Sequence, residues 1–187
     1  MKKTLLLTTA LVLSSTLFAS DCKYNAHSSS LTWTAFKTPA KVGVKGTFND
    51  IKLNSTTADS LEKLLNSSSV KITTANVNSN NEGRDAKLVN NFFNVQGVSN
   101  ISAKVLSISE KTAKVEITMN NVKKVIPMNI VYFENVIKLK GAIDLAEFKM
   151  LPSLESITKA CYELHQGKTW QDVELEFTIT TSCDVRG

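Results

Sequence analysis

The sequence is poor in the residues on which most enzyme chemistry depends. Its 187 residues include two histidines, three cysteines and three prolines, and aromatic side chains make up 7%. No Gly-x-Ser-x-Gly elbow is present, and no glycine-rich phosphate loop follows a strand-like run. Acid pairs such as Asp144 and Glu147 are of the kind that loops expose to water. These absences predict a protein that is not an enzyme and that carries no cofactor. With seven glycines and three prolines the chain is neither a collagen nor a low-complexity tether, and 42% hydrophobic with 21% charged residues is an ordinary globular composition. No apolar run reaches the roughly 20 residues that a membrane-spanning helix needs, so no stable membrane anchor is expected. Charge of one sign is also scarce. Lys+Arg 22 against Asp+Glu 17 gives +5, and the lysines are scattered, with nothing longer than pairs such as Lys123-Lys124. A nucleic-acid partner is therefore not expected.

The first twenty residues address the compartment. Met1-Lys2-Lys3 is a short basic start, Leu5 to Leu13 an apolar stretch, and Ser14 to Ser20 supply small residues. This is the pattern of a secretory signal peptide over 1–19, and it predicts a periplasmic or secreted protein occupying 20–187 as one domain. Removing Lys2 and Lys3 leaves 20 basic against 17 acidic residues, or +3. A lipoprotein is the rival reading because Cys22 follows closely. Asp21, however, stands where lipid attachment favours a small residue.

What the mature chain has in quantity is alternation. Val173, Leu175, Phe177 and Ile179 share one parity, against Asp172, Glu174, Glu176 and Thr178. Ala113 to Met119, Ile137 to Leu145, Leu31 to Ala35 and Val42 to Phe48 repeat this period of two, the signature of strands with one wet and one buried face. Shorter strands are predicted at Val70–Ile72 and Ile101–Ile108, with a bulge where the parity slips between Val105 and Leu106. Val125 to Phe133 is apolar on both parities, and part of it is expected to be covered on both faces, as by a helix. Helical spacing appears at Ala58–Asn66 behind a cap at Asp59, at Arg84–Asn94, and at Pro152–His165, with Gly167 as a stop. The fold class expected is mainly β: an eight-stranded antiparallel lipocalin-like barrel with two or three short helices.

Export makes a disulfide permissible. Cys22 precedes the first strand and Cys183 ends the last; if those strands are neighbours in a barrel, Cys22–Cys183 is the favoured pair and Cys161 the free thiol. Three unpaired thiols remain the alternative. Cys161 and His165 are spaced i,i+4, and His27 could join them as a metal or haem ligand, but a structural zinc wants about four ligands. No metal site is predicted.

Three motifs carry a resemblance. They are Val44-Lys45-Gly46-Thr47-Phe48; Arg84-Asp85-Ala86-Lys87-Leu88 followed by Asn91-Phe92-Phe93-Asn94; and Gly167-Lys168-Thr169-Trp170-Gln171-Asp172-Val173 leading into the last alternating run. With the secretory start, the chain from about Tyr24 to Ile179 resembles the YceI-like family, the bacterial polyisoprenoid-binding proteins. The resemblance implies an exported barrel that sequesters or carries a polyisoprenoid or similar amphiphilic lipid. By parity and size, the residues expected to contact the ligand tail are Trp33, Phe48, Phe92, Phe93, Met119, Leu139, Trp170 and Phe177. Arg84 is expected either at a phosphate or quinone head, or paired with Asp85, or capping a loop. The competing readings are a ligand-free structural or stress-protective protein whose aromatics fill a solid core, and a metal- or haem-linked redox factor. A second copy of the chain stays open as a partner.

Overall fold

The computed structural model describes residues 23–185; the segment 1–19 expected to be a signal peptide, and Cys22, lie outside the described residues. Ten strands form one antiparallel sheet, where the sequence predicts eight. They are β1 (Ala26–Lys37), β2 (Val42–Phe48), β3 (Lys52–Asn54), β4 (Ser69–Thr73), β5 (Val77–Asn78), β6 (Asn100–Ile108), β7 (Thr112–Met119), β8 (Val122–Phe133), β9 (Val136–Asp144) and β10 (Thr169–Thr181). The extra strands, β3 and β5, are three and two residues long, too short for a period of two to register. The order across the sheet is β3-β4-β6-β7-β8-β9-β10-β1-β2-β5, so the first and last long strands are neighbours, as expected of a barrel.

The sheet is strongly curled, and its two ends are joined by the chain itself. β2 lies next to one end of the order, beside the two-residue β5, and β3 lies at the other end, yet only residues 49–51 separate β2 from β3. Four Cα steps reach at most about 15 Å, so curling is compulsory and the two edges must approach. At the opposite end of β7 the hairpin Met119-Asn120-Asn121-Val122 turns in two residues. Both asparagines take left-handed backbone, φ 51° and 58°, as the twist-matched hairpin turn requires.

Parity sorts the faces. Along β7 the inward Ala113, Val115, Ile117 and Met119 are all buried. Outward, Glu176 takes Lys138 at 2.7 Å and Lys140 at 2.9 Å from the neighbouring strand, and those two lysines hold its carboxyl below the ordinary range. The ladder of β6 with β7 shifts register between Val105 and Ser107, which leaves Leu106 exposed at the expected bulge. The expectation for Val125–Phe133 is corrected. Only Ile126, Met128 and Ile130 are buried there, while Val125, Val131 and Phe133 are 51%, 44% and 62% exposed. No helix among the described residues covers the outer face of β8, so its two apolar parities have opposite fates.

The helices gather at the barrel ends. α1 (Leu61–Ser67) buries Leu64 and Leu65. Its cap is Ser60, whose Oγ accepts from the Lys63 N–H at 3.3 Å; Asp59, the expected cap, pairs instead with the Lys63 ammonium. α2 (Glu82–Leu88) is capped by Asn81 and continues as a wide helical turn, Val89–Phe93, that buries Phe92 and Phe93. α3 (Leu151–Ala160) begins at Pro152 in its first turn, breaks at Cys161, and is followed by α4 (Tyr162–His165). Gln166 and Gly167, both left-handed, end it and turn the chain into β10. No helix among the described residues is long and apolar enough to cross a membrane.

Candidate functional site

The curled sheet encloses a cavity of about 510 Å³, within the roughly 300–1,000 Å³ usual for small-molecule sites. Its wall is the inward parity of the strands, closed by α2, the Val89–Phe93 turn, α3 and α4. On β10, Ile179 is fully buried, whereas Val173, Leu175 and Phe177 of the same parity are only half-buried and line the cavity. The barrel is therefore packed at one end and hollow in the middle.

All nine residues that the sequence singles out lie on this wall, each held differently. Trp33 is 7% exposed; its indole N–H donates to the Thr47 carbonyl at 3.2 Å, and its ring lies across Gly46, its cross-strand partner. A Cβ on Gly46 would sit 2.2 Å from the indole Cζ2, so only glycine leaves room for the ring in this pose. That contact gives the Val44–Phe48 motif a physical reason for its glycine. Phe92 and Phe93 meet edge to face at 5.1 Å, and Phe93 packs 6.2 Å from Phe48, which ties the wide turn after α2 to the end of β2. Met119 and Leu139 sit mid-wall at 3% and 2% exposure. Trp170 is at the rim, half-buried, with its N–H on the Thr38 carbonyl at 2.8 Å and the ammonium groups of Lys168 and Lys41 at 4.7 and 5.1 Å from the ring.

Arg84 reaches the cavity but is largely committed to a loop. Its Nε donates to Ser79 Oγ at 2.7 Å and its Nη2 to the Ser79 carbonyl at 2.9 Å, while Asp85 accepts from the Ser79 N–H at 2.9 Å. The Arg-Asp pair thus fastens the turn before α2, and the alternative of loop capping describes its contacts.

Sequence reasoning missed the polar side of the wall. Lys37, Lys87 and His165 line the cavity with Arg84, and all four are half-buried. Lys37 follows Leu31, Trp33 and Ala35 on the inward parity of β1, and Phe36 also lines the wall where the ladder with β10 shifts register between Ala35 and Lys37. Arg84, Lys87 and Leu88 reach it together because i, i+3 and i+4 share a helix face. His165 Nδ1 lies 2.7 Å from Thr169 Oγ1. Burial, then the positive charges of Lys37 and Lys87, lower the pKa of His165 below its ordinary 6.5, so the imidazole is neutral at neutral pH. The helical spacing of Arg84 and Lys87 is visible in the sequence; their meeting with Lys37 and His165 is not.

Cys161 is a free, buried thiol on the same wall, and His165 is close along the chain, but His27 is exposed on β1. Among the described residues no group of three His, Cys, Asp or Glu side chains could hold a metal ion.

A curled antiparallel sheet around an apolar cavity, with helices at its ends, is the architecture of a lipocalin-like barrel. The family model described as "YceI-like domain" matches residues 23–181, and the chain belongs to that family. Among solved structures it is similar to a polyisoprenoid-binding domain from Saccharophagus degradans implicated in plant cell wall breakdown, at 13% identity and TM-score 0.63, covering 86% of this chain and 97% of that one. It is also similar to BcnA from Burkholderia cenocepacia, at 11% identity and TM-score 0.55, covering 81% and 94%. At such identities these likenesses show the shared fold. No curated protein matches the chain.

Proposed function

We propose that this protein is an exported, non-catalytic binding protein that holds a polyisoprenoid or similar long-chain amphiphilic lipid in its barrel. The observation that carries the reading is the hollow apolar interior of about 510 Å³. A methylene group leaving water for such a space gains about 0.8 kcal/mol, so a dozen carbons suffice for tight binding without any charged contact. The polyisoprenoid-binding domain with the same fold supports this ligand class. The experiment is organic extraction of the purified protein followed by mass spectrometry. A long-chain lipid in stoichiometric amount is expected; a lipid-free extract from a protein that also fails to take up a fluorescent isoprenoid analogue would overturn the reading.

Export and the disulfide belong to the same proposal. The support for export is the Lys2-Lys3 and Leu5–Leu13 start. The support for a Cys22–Cys183 bridge is the pairing of β1 with β10, which sets the start of one strand beside the end of the other. Closing nearly the whole mature chain would stabilise the fold by about 4–5 kcal/mol on the loop-entropy account. Non-reducing peptide mapping of protein from the periplasm should show a mature N-terminus near Ser20 or Asp21 and a peptide linking Cys22 to Cys183. Recovery of Met1, or a bridge from Cys161, would overturn the respective part.

A further inference from the structure

The cavity wall carries charge of one sign. Lys37, Arg84, Lys87 and Lys104, together with the neutral His165, reach it, and no Asp or Glu among the described residues does. Lys104 is exposed and pairs with Glu116 at 3.5 Å. The other four belong to the barrel end where β1 finishes and β10 begins, since Lys37 pairs in register with Thr169 and Thr169 holds His165. There the wall reaches the surface between α2 and α4, for Asn81, Gly83 and Leu164 line the cavity and are exposed.

Arg84 is occupied by Ser79, but Lys37 and Lys87 are half-buried and make no ion pair among the described residues. Two ammonium groups brought to one end of an apolar cavity with no counter-charge among the described residues repel each other. Their field is felt locally, because both oppose protonation of His165. A neutral alcohol or quinone head would leave that repulsion in place. A phosphate or carboxylate would relieve it and would accept charge-assisted hydrogen bonds from both lysines, with the Asn81 side chain and Thr169 beside them on the wall.

We propose that the ligand of this cavity is an anionic single-chain amphiphile, its phosphate or carboxylate head held between Lys37 and Lys87 beside His165, and its tail in the apolar interior. This rests on the lipid-binding reading and specifies the head.

The test uses delipidated mature protein titrated separately with geranylgeranyl monophosphate, geranylgeraniol and inorganic phosphate at about 0.1 M salt, where charges remain unscreened over about 10 Å. The phosphate ester is expected to bind at least about tenfold more tightly than the alcohol, and inorganic phosphate to bind far more weakly than the ester. In Lys37→Gln/Lys87→Gln the preference, read as the ratio of ester to alcohol affinity, should vanish, and continued binding of the alcohol reports an intact cavity. Should the double variant fail to fold, Lys87→Gln alone must reduce the preference. Equal binding of alcohol and ester by the wild type, or a preference that survives the substitutions, overturns the assignment of the head. Inorganic phosphate binding as tightly as the ester makes this a free-phosphate site and overturns the amphiphile. If neither isoprenoid binds, the lipid-binding reading falls as well; binding of the alcohol without preference sinks only the head.

Discussion

Leu139→Trp is expected to abolish most lipid binding while the protein melts close to the wild type. Leu139 is 2% exposed, lies mid-strand on β9 and lines the cavity, with Phe177 and Ile130 as its cross-strand neighbours. A larger side chain in a filled core costs about 1–3 kcal/mol. Here the indole can extend into empty volume, so it replaces ligand instead of displacing protein. Ile137, two residues earlier with the same parity, is the internal control. It is fully buried and lies away from the cavity, so Ile137→Trp should lower stability by the full overpacking cost. The measurements are melting temperature and affinity for a fluorescent isoprenoid analogue. Leu139→Trp should weaken binding at least about tenfold, a change of about 1.4 kcal/mol. Equal destabilisation by both substitutions, with no effect on binding, would favour a solid core.

Gly46→Ala tests the packing of the wall. The added methyl would lie 2.2 Å from Trp33 Cζ2, 2.7 Å from Cε2 and 2.9 Å from the Asn78 carbonyl oxygen. The indole cannot yield freely, because its N–H is held by the Thr47 carbonyl and its ring is buried. The expected cost is about 3 kcal/mol, the upper end for overpacking. In a chain of this size that lowers the melting temperature by about 6–12 °C. Trp33→Leu should be destabilising by itself, yet the double variant should lose less than the sum of the singles, since the clash requires both partners. Additive losses, or a Gly46→Ala protein that melts like the wild type, would show that the ring has another place to go.

Much of this molecule is legible in its sequence. Period-two alternation depends only on neighbours along the chain, and so the long strands, the bulge near Val105 and the inward parity of Trp33, Met119, Leu139 and Phe177 can all be read directly. The three helical regions are equally visible, because caps and turn residues act locally. Ser60 replaces Asp59 as a cap because Asp59 finds a better partner in the Lys63 ammonium.

The tertiary structure decided what depends on sums over distant elements. The eight-stranded expectation became ten because β3 and β5 are defined by their partners rather than by their own pattern. The apolar outer parity of β8 gave no sign of whether anything covers it, and burial left Val125, Val131 and Phe133 exposed. Whether the inward face meets other side chains or empty space is a matter of volume, which no single strand contains. The cluster of Lys37, Lys87 and His165 joins the end of β1, one face of α2 and the short helix before β10, positions spread from residue 37 to residue 165. Sequence alone determined which faces are apolar; only closure of the sheet determined that they surround a hollow with a basic rim, because cavities and electrostatic fields are set by distances through space.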